Sequence, residues 1–249
     1  MLAEKRRDEI LKMVAECQTV TVPELSQKLN ISESTIRRDL EQLDRMHKLV
    51  RVHGGATALT MQYVVSDESF ADRSEIMSEE KTVIGKYAAE LIGPDDFVFI
   101  DAGTTTERLI DFINEQDAVY VTNSVGHALK LLRRGFRVIM PGGEMKQKTE
   151  AMVGADTVDA IRRFNFTIGF FGANGVSRKT GFTTPEVNEA MVKKMALSHS
   201  EARYVLCDHT KFSLVSPITF SDYNEADVIT DCLPDQSYTA SDNLIIAGE

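Results

Sequence analysis

Two kinds of hydrophobic pattern follow one another along the chain. In residues 1–57 apolar residues recur at steps of three and four, which predicts short amphipathic helices. Further on, apolar runs at 97–101, 119–123, 166–171 and 204–208 alternate with helical stretches. Continuous apolar strands between helices are typical of a parallel sheet that is covered on both faces. The pattern therefore predicts a small helical domain followed by a larger α/β domain with a mostly parallel sheet.

Helix signals in the first domain predict three helices. An amphipathic helix begins close to Met1 and carries Cys17 near its end. A second helix opens at residues 21–24, Thr-Val-Pro-Glu, where a capping-box pattern coincides with proline in the first turn. Ser32 follows a short turn and is placed to cap the third helix. Two helices joined by a tight turn describe a helix-turn-helix.

The third helix has one apolar and one polar face. Ile36, Leu40, Leu43 and Met46 share the apolar stripe. Residues 49–56 then alternate apolar and polar side chains before a glycine turn, which predicts a wing. The polar groups of helix and wing suit contacts with base edges and phosphates in DNA. We predict DNA contacts from Ser34, Thr35, Arg37, Arg38, Arg51 and His53.

Two segments of this domain resemble a known family. Residues 32–40, Ser-Glu-Ser-Thr-Ile-Arg-Arg-Asp-Leu, and residues 51–56, Arg-Val-His-Gly-Gly-Ala, look like the N-terminal signature of the DeoR family of bacterial transcriptional regulators. The resemblance implies a winged helix-turn-helix repressor. It also implies double-stranded operator DNA as a partner.

Charge separates the two domains. The chain has 249 residues and a net charge of −10. Residues 1–60 hold ten Lys/Arg and nine Asp/Glu, so the remainder carries 18 basic and 29 acidic residues. An acidic body repels DNA, which leaves the N-terminal domain as the contact surface. Because one nearly neutral head makes few phosphate contacts, we expect a homodimer or homotetramer that places two heads on operator half-sites.

Cysteine content and hydropathy indicate the class of protein. Cys17, Cys207 and Cys232 are too few and too far apart for a disulfide framework or a zinc site. They fit a reduced, cytoplasmic setting. The charged start of the chain does not resemble a secretory signal, and no apolar run approaches the length of a membrane span. We expect no metal, no cofactor and no membrane partner.

Small and polar residues follow the predicted strands of the second domain. Ligands of open parallel sheets bind at the carboxyl ends of the strands, so these residues predict a polar pocket. The predicted ligand contacts, with Glu186 added from the start of a later helix, are Asp101, Gly103, Thr104, Thr105, Thr106, Thr122, Asn123, Ser124, Gly142, Gly143, Gly172, Asn174, Gly175, Glu186, Asp208 and Lys211.

The loop at residues 101–106 points most directly to a phosphate. Gly103 lets the backbone approach a ligand closely, and three threonines supply hydroxyls where backbone N–H groups open a helix. The positive end of the helix dipole favours an anion there. The same threonines also suit plain helix capping, so both interpretations stand. Lys211 is either the compensating cation or an ordinary surface lysine.

Glu186 also has two interpretations. Residues 181–186, Gly-Phe-Thr-Thr-Pro-Glu, predict a helix that Thr184 caps, with Pro185 in its first position. The Glu186 carboxylate either accepts hydrogen bonds from sugar hydroxyls or is simply favoured in the first turn by the helix dipole.

The second domain resembles the effector domain of the DeoR family at residues 101–106, 122–124, 142–143, 172–175 and 208–211. That domain is similar in fold to ribose-5-phosphate isomerase, glucosamine-6-phosphate deaminase and the CoA transferases. The resemblance implies a sugar phosphate as effector. The segments 181–185 and 208–212 look most like repressors of fructose operons, which implies fructose 1-phosphate. Lactose-operon repressors, which respond to tagatose 6-phosphate, share Phe-Thr-Thr-Pro and are the alternative.

A sugar-phosphate isomerase or deaminase is a further alternative. Such an enzyme needs a carboxylate or histidine placed to move a proton between adjacent sugar carbons. Deaminase-like enzymes carry Asp-Gly-His in the equivalent loop, whereas residues 174–176 here read Asn-Gly-Val, which shuttle no proton. Asp101, Glu186 and Asp208 keep the alternative open. We expect binding without turnover and assign no catalytic residue.

The same patterns set the expected domain boundaries. A winged helix-turn-helix domain occupies residues 1–57, and a polar linker without sustained periodicity occupies 58–78. The sugar-phosphate-binding domain spans 79–235. Residues 236–249 are expected to form a C-terminal tail.

Overall fold

The computed structural model describes residues 3–17, 19–46, 48–52, 54–57, 62–63, 69–234, 238–239 and 241–248. Contacts divide the chain into two compact units, residues 1–62 and 63–249. A short strand, β4 (Gln62–Tyr63) in chain order, lies at the boundary. Among the described residues no helix combines the length and hydropathy needed to cross a bilayer.

The first unit is a winged helix-turn-helix, as the sequence predicts. Its elements are α1 (Ala3–Cys17), β1 (Thr19–Thr21), α2 (Val22–Leu29), α3 (Glu33–Arg45), β2 (Val50–Val52) and β3 (Gly55–Thr57). Within the described residues β1, β3 and β2 form an antiparallel sheet in that order. Gly54 has a φ of +84°, and this left-handed conformation lets the wing reverse direction between β2 and β3.

Local signals place the ends of α2 and α3. The Thr21 hydroxyl accepts the Glu24 N–H, and the Glu24 carboxylate accepts the Thr21 N–H at 2.7 Å, which completes the predicted capping box. Asn30 ends α2 in the left-handed conformation. Ser32 occupies the N-cap of α3, but its hydroxyl bonds the hydroxyls of Ser34 and Thr35 instead of a backbone N–H. The predicted side-chain cap by Ser32 is therefore wrong.

The apolar stripe of α3 builds the core of this unit. Ile36, Leu40 and Leu43 are buried, whereas Met46 is 44% exposed. The sequence prediction is wrong at Met46 because the helix has already ended there and the side chain leaves the buried face. Val52 in the wing strand β2 is also exposed.

The second unit is built on a parallel sheet. Its described helices are α4 (Phe70–Glu75), α5 (Ser78–Ala89), α6 (Thr104–Phe112), α7 (Val125–Arg133), α8 (Ala155–Ile161) and α9 (Val187–Ser198). Its described strands are β5 (Phe97–Ile100), β6 (Val119–Thr122), β7 (Arg137–Ile139), β8 (Glu144–Lys146), β9 (Ala151–Val153), β10 (Phe166–Gly172), β11 (Gly175–Ser177), β12 (Gly181–Thr184), β13 (Ser200–Leu206), β14 (Leu214–Val215), β15 (Ile218–Ser221), β16 (Asp227–Thr230) and β17 (Leu244–Ile246).

Seven of these described strands form one sheet in the order β17-β16-β13-β10-β5-β6-β7, and every pair is parallel. Side chains alternate between two buried layers, because Phe99 and Phe171 face one layer while Ile100 and Phe170 face the other. Both faces are therefore covered, as the continuous apolar runs predict.

Two predicted boundaries differ from the structure. The linker expected at 58–78 contains α4, and Ser78 already begins α5. The tail expected at 236–249 contains β17, which pairs with β16 at the edge of the main sheet. Leu244 and Ile245 pack against the two apolar layers, so this segment belongs to the domain.

A close helix contact positions α5. A Cβ added to Gly85 would lie 2.6 Å from the backbone nitrogen of Leu109, so α5 and α6 touch backbone to backbone only because residue 85 is glycine. Lys81 lies one turn earlier on α5.

Candidate functional site

The exposed face of α3 carries the predicted DNA contacts. Ser34, Arg37 and Arg38 are exposed, and Thr35 is half-buried. Arg37 donates to Glu33 at 2.8 Å, an exposed pair one turn apart. Such a pair contributes little stability, so the Arg37 guanidinium can leave Glu33 and bind a phosphate or a base instead. Guanidinium forks and hydroxyls on one accessible helix face are suited to the major groove.

The wing supplies the remaining predicted contacts. Arg51 on β2 is exposed, and its backbone N–H donates to Asp44 Oδ1 of α3 at 2.9 Å. This bond ties the wing to α3, so the Arg51 side chain is presented from a fixed strand. His53 lies outside the described residues.

Arg6 and Asp39 orient α3 and are not among the predicted site residues. Arg6 of α1 binds Asp39 with two nitrogens, and both side chains are largely buried. A two-pronged guanidinium–carboxylate contact fixes direction as well as distance. The available signal was Asp39 itself, an acidic residue beside the apolar stripe of α3.

A crevice in the second unit opens where the strand order reverses. The chain continues from β5 to β6 on one side, whereas β10 and β13 lie on the other side of β5. Loops that leave β5 and β10 therefore diverge, and ligands of such sheets bind at this point. A cavity of about 570 Å³, including its open mouth, lies there. It is lined by Arg73, Ile76, Lys81, Ala102, Gly103, Thr104, Thr105, Gly172, Ala173, Asn174, Glu189, Lys193 and Lys211.

The loop after β5 forms one wall of this cavity. Asp101 Oδ2 accepts the Gly172 N–H at 3.0 Å and also binds Lys193, which joins the ends of β5 and β10. Thr104 and Thr105 begin α6, and first-turn N–H groups have no acceptor within their helix. The positive end of α6 therefore opens into the cavity.

Four cationic side chains line the cavity, and one of them is locally neutralised. Lys193 is paired with Asp101. Burial lowers the pKa of Lys81 to about 8; Asp208 opposes this shift, and the positive charges of Lys211 and Arg73 add to it. The Lys81 ammonium donates to the backbone carbonyl of Arg73. Arg73 and Lys211 therefore place positive charge close to Lys81 in the cavity lining.

The cavity lining also includes an acidic and an amide side chain, Glu189 and Asn174. Glu189 Oε1 accepts from Thr149 Oγ1 at 2.7 Å and from Lys146 Nζ at 3.0 Å. Burial alone would raise the pKa of Glu189, but Lys193, Thr149 and Lys146 outweigh it and lower the pKa. Glu189 is therefore ionised at neutral pH. Asn174 stands beside it, with its Oδ1 3.3 Å from the Thr184 hydroxyl.

Several predicted ligand residues do not line the cavity because they stabilise loops. The Thr106 hydroxyl is buried and donates to the carbonyl of Asp101 at 2.6 Å. The Thr122 hydroxyl accepts the Ser124 N–H, and Ser124 caps α7 through the His127 N–H. Asn123 donates to the Met152 carbonyl at 3.2 Å. These side chains stabilise the loops at the strand ends through hydrogen bonds to backbone groups.

Three of the glycines predicted to contact the ligand also do not line the cavity. Gly142 and Gly143 lie in the exposed turn before β8. Gly175 lies in β11, where a Cβ would be 2.3 Å from the Leu214 carbonyl oxygen. A close backbone approach by β14, not by a ligand, explains glycine there.

Glu186 and Asp208 act as caps. Glu186 accepts the N–H groups of Asn188 and Glu189 at 3.0 and 2.9 Å, so it caps α9, and the prediction of Thr184 as the cap is wrong. Asp208 is fully buried and accepts the Thr210 N–H at 3.0 Å. Its Oδ2 has no hydrogen-bond partner among the described residues, and its negative charge acts on Lys81.

Four charged lining residues went unpredicted. Glu189 and Lys193 stand four apart on α9 and are buried among Ala190, Val192 and Ala196; charges at apolar helix positions were the available signal. Arg73 and Lys81 precede the first strand of the sheet. No pattern of strand-end residues could have identified them.

One group of metal-ligand side chains occurs in the described part of the chain. His209, Asp231 and Cys232 place ligand atoms within 4.8 Å of one another. Asp231 already uses both oxygens on His209, accepting its backbone N–H at 2.8 Å and its ring Nδ1 at 2.7 Å. The Asp231 hydrogen bond raises the pKa of His209. The hydrogen bonds between Asp231 and His209 account for the position of these two side chains, and they hold the loop after β13.

Family models match both units. The DeoR-like helix-turn-helix domain matches residues 6–62, and the DeoR C terminal sensor domain matches residues 76–232. An "Uncharacterized HTH-type transcriptional regulator FruR" of Bacillus subtilis (strain 168) is 37% identical over 231 residues, 92% of this chain and 91% of that protein. A "Lactose phosphotransferase system repressor" of Staphylococcus aureus (strain NCTC 8325 / PS 47) is 36% identical over 225 residues, 89% of this chain and 88% of that protein.

Solved structures resemble the chain more distantly. Ribose 5-phosphate isomerase A of Methanocaldococcus jannaschii aligns with a TM-score of 0.40 at 13% identity, covering 54% of each chain. The eIF2B delta subunit of Chaetomium thermophilum aligns with a TM-score of 0.43 at 16% identity, covering 74% of this chain and 57% of that chain. The two matching family models and the relatives above 30% identity show that the chain belongs to the DeoR family of transcriptional regulators.

Proposed function

We propose that this regulator represses a sugar-utilisation operon and that a phosphorylated sugar, bound in the β5–β10 cavity, controls it. The main support for this proposal is that Arg73, Lys81 and Lys211 line the same cavity as the N-terminal end of α6. Phosphate carries up to two negative charges and three acceptor oxygens, which match such a set of donors. The family's helix-turn-helix and sensor domains fit this division of tasks.

The other polar lining groups support a sugar over a simple anion. Ionised Glu189 accepts hydrogen bonds, and Asn174 both donates and accepts them. Sugar hydroxyls do the same. A ligand that carries both a phosphate and hydroxyl groups satisfies both sets of lining groups.

Fructose 1-phosphate is the preferred effector, and tagatose 6-phosphate is the alternative. Residues 181–185 and 208–212 resemble fructose-operon repressors, and one relative carries the name FruR. Relatives named for the lactose phosphotransferase system support the alternative. Cavity chemistry distinguishes phosphorylated from unphosphorylated sugars but treats these two esters alike.

We further propose binding without turnover. A general base works best with a pKa near the operating pH, whereas the pKa of Glu189 is lowered by its cationic and hydroxyl neighbours. Asp101 is engaged by Lys193 and the Gly172 N–H. Incubation with each sugar phosphate should return it unchanged, and an isomerised or deaminated product would support the enzyme instead.

A thermal-shift panel tests the effector. Fructose 1-phosphate, tagatose 6-phosphate, fructose 6-phosphate and glycerol 3-phosphate are compared with fructose and inorganic phosphate. One sugar ester should raise the melting temperature far above the rest, since ligand at 100 times its Kd adds about 2.7 kcal/mol to the free energy of unfolding. Equal shifts with fructose and its phosphates would contradict the proposal.

Effector affinity should depend on pH through Lys81. Its pKa of about 8 means that the ammonium is charged at pH 7 and loses its proton as the pH rises through 8. Arg73, Arg108 and Lys211 disfavour its charge, Asp208 favours it, and a bound phosphate favours it further. Calorimetric Kd values should therefore rise between pH 7 and 9, by roughly tenfold for one lost charged hydrogen bond. Lys81→Met should bind more weakly and with a flat profile over this range; an unchanged slope would assign the titration to another group.

We also propose that the regulator acts as an oligomer in the cytoplasm. A head that carries one exposed recognition helix reads one half-site, so repression at nanomolar affinity requires a homodimer or homotetramer. A chain whose partner is operator DNA works in the bacterial cytoplasm. Sedimentation with and without operator DNA measures the number of copies.

A further inference from the structure

The helix α4 is short and lies against α6. It has six residues, and none of them is buried. A helix this short has no stability of its own. The Phe70 N–H donates to the Lys148 carbonyl at 3.1 Å, the Phe70 ring meets the His127 ring edge-on, and Lys81 binds the Arg73 carbonyl. The position of α4 is therefore sensitive to any further contact.

The Arg73 guanidinium is an unsatisfied cation in the β5–β10 cavity. Its Nε and Nη2 atoms are shielded from solvent and have no hydrogen-bond partner among the described residues. Lys81 and Lys211 line the same cavity, and the positive charges of Arg73 and Lys81 repel each other. Buried charged donors without acceptors cost free energy, and an anion in the cavity removes this cost.

Arginine offers more than charge at this position. Its planar fork presents parallel N–H donors that match two oxygens of a phosphate. Nε and Nη2, the two unpartnered atoms, form one edge of that fork. The geometry suits a two-pronged contact with a phosphate that also meets the first turn of α6.

The helix α4 lies close in sequence to the DNA-binding unit. Ser69, the N-cap of α4, follows Tyr63 by six residues, and the DNA-binding unit ends at residue 62. In sequence, α4 is the first helix that the structure describes after that unit. A change in the position or stability of α4 therefore acts on the segment that connects the two units.

We propose that Arg73 binds the phosphate of the effector and thereby orders α4, so that the chain leading to the DNA-binding unit responds to occupancy of the sensor cavity. This inference rests on the proposed sugar-phosphate effector. It adds a residue of α4 to the site and assigns the coupling between the units to that residue. The coupling requires effector to bind one state of α4 more tightly than others.

Hydrogen exchange on the full chain tests the proposal without operator DNA. Exchange of the backbone amides of residues 70–77 and 104–107 is followed by mass spectrometry at pH 7, with fructose 1-phosphate, tagatose 6-phosphate or inorganic phosphate as the probe. In the wild-type chain a bound sugar phosphate should slow both segments by tenfold or more. Slowing at 104–107 reports cavity binding, and slowing at 70–77 reports the ordering of α4.

Arg73→Gln separates these two effects. This substitution should weaken probe binding by roughly 10- to 100-fold. At saturating concentration, the probe should then slow exchange at residues 104–107 but not at residues 70–77. Arg73→Lys keeps the charge without the fork and should fall between. The melting temperature without probe should stay level or rise in Arg73→Gln, because an unpaired buried cation is removed. Arg162→Gln, at an exposed arginine paired with Asp159, is the matched control and should behave like wild type.

Each failure has its own pattern. Protection of 104–107 without protection of 70–77 in the wild-type chain overturns the role of Arg73 and leaves the sugar-phosphate proposal standing. Full protection of 70–77 in saturated Arg73→Gln does the same. If no probe protects 104–107, the proposed function itself fails, and the inference fails with it.

Discussion

Simultaneous replacement of Arg37 and Arg38 by alanine is expected to weaken operator binding by roughly 100-fold or more. Both guanidiniums lie on the exposed face of α3, and Arg37 makes an exposed pair with Glu33. Each arginine that forks onto a base or phosphate contributes about 1–3 kcal/mol. The two losses together correspond to about 3 kcal/mol. Fluorescence anisotropy, on a duplex that the wild-type chain selects from a random library, measures the change at fixed salt.

Arg45→Ala is the matched control for this prediction. Arg45 lies on the same helix, is exposed, and pairs with Glu41 one turn earlier, as Arg37 pairs with Glu33. It stands in the last turn of α3, away from the N-terminal turns that enter the groove. Its replacement should change affinity by less than about threefold. Unchanged binding in the Arg37/Arg38 variant, or equal losses in both, would show that another surface contacts DNA.

Reversal of charge at Lys211 is the second large effect. Lys211→Glu places a carboxylate in the cavity where the phosphate is proposed to bind, and close like charges cost several kcal/mol. Effector affinity should fall by roughly 100-fold or more, which corresponds to about 3 kcal/mol. The fold should persist, because the new carboxylate faces Lys81, whose pKa is lowered by Lys211 in the natural chain. Calorimetry with the sugar phosphate that gives the largest thermal shift measures the affinity.

Lys179→Glu controls for the change in net charge. Lys179 is exposed in the turn between β11 and β12 and does not line the cavity. Its reversal should leave effector affinity within about twofold, since exposed charges beyond a Debye length are screened. Operator binding by Lys211→Glu without effector should match wild type. A variant that keeps full effector affinity would move the phosphate to another part of the sheet edge.

The sequence was most informative where local chemistry decides the structure. Thr21, Pro23 and Glu24 form the start of α2 as their spacing predicts, because capping depends on neighbours within one turn. The stripe of Ile36, Leu40 and Leu43 has a helical period and packs accordingly. Met46 failed because periodicity alone does not mark the residue at which a helix ends.

The cavity was predictable only in part. Gly103, Thr104, Thr105, Gly172, Asn174 and Lys211 line it, and each lies at the end of a strand or in the segment that follows one. The predicted residues after β6 and β7 also follow strands. However, the loops that diverge at the strand-order reversal are those that leave β5 and β10, and β6 lies to one side of them. Which loops meet depends on strand order, and hydrophobic pattern does not specify strand order.

Glu186 and Glu189 illustrate the same limit on a finer scale. Both carboxylates lie near the start of α9, three residues apart. Glu186 accepts the first N–H groups of the helix, whereas Glu189 is turned inward to Thr149 and Lys146. The partners of Glu189 lie 40 and 43 residues away, so only packing decides which carboxylate faces the ligand.

The sequence by itself determined the two domains, the helix-turn-helix, the wing and the parallel sheet, because periods of 3.6 and 2 residues and short caps are local properties of the chain. The tertiary structure alone decided that Arg73 and Lys81, which precede the sheet, and Glu189 and Lys193, which lie more than a hundred residues later, meet at the ends of β5 and β10. Such a meeting depends on strand order and on the close contact of α5 with α6. These arise from burial of distant apolar surfaces against one another, and no short stretch of residues encodes that burial.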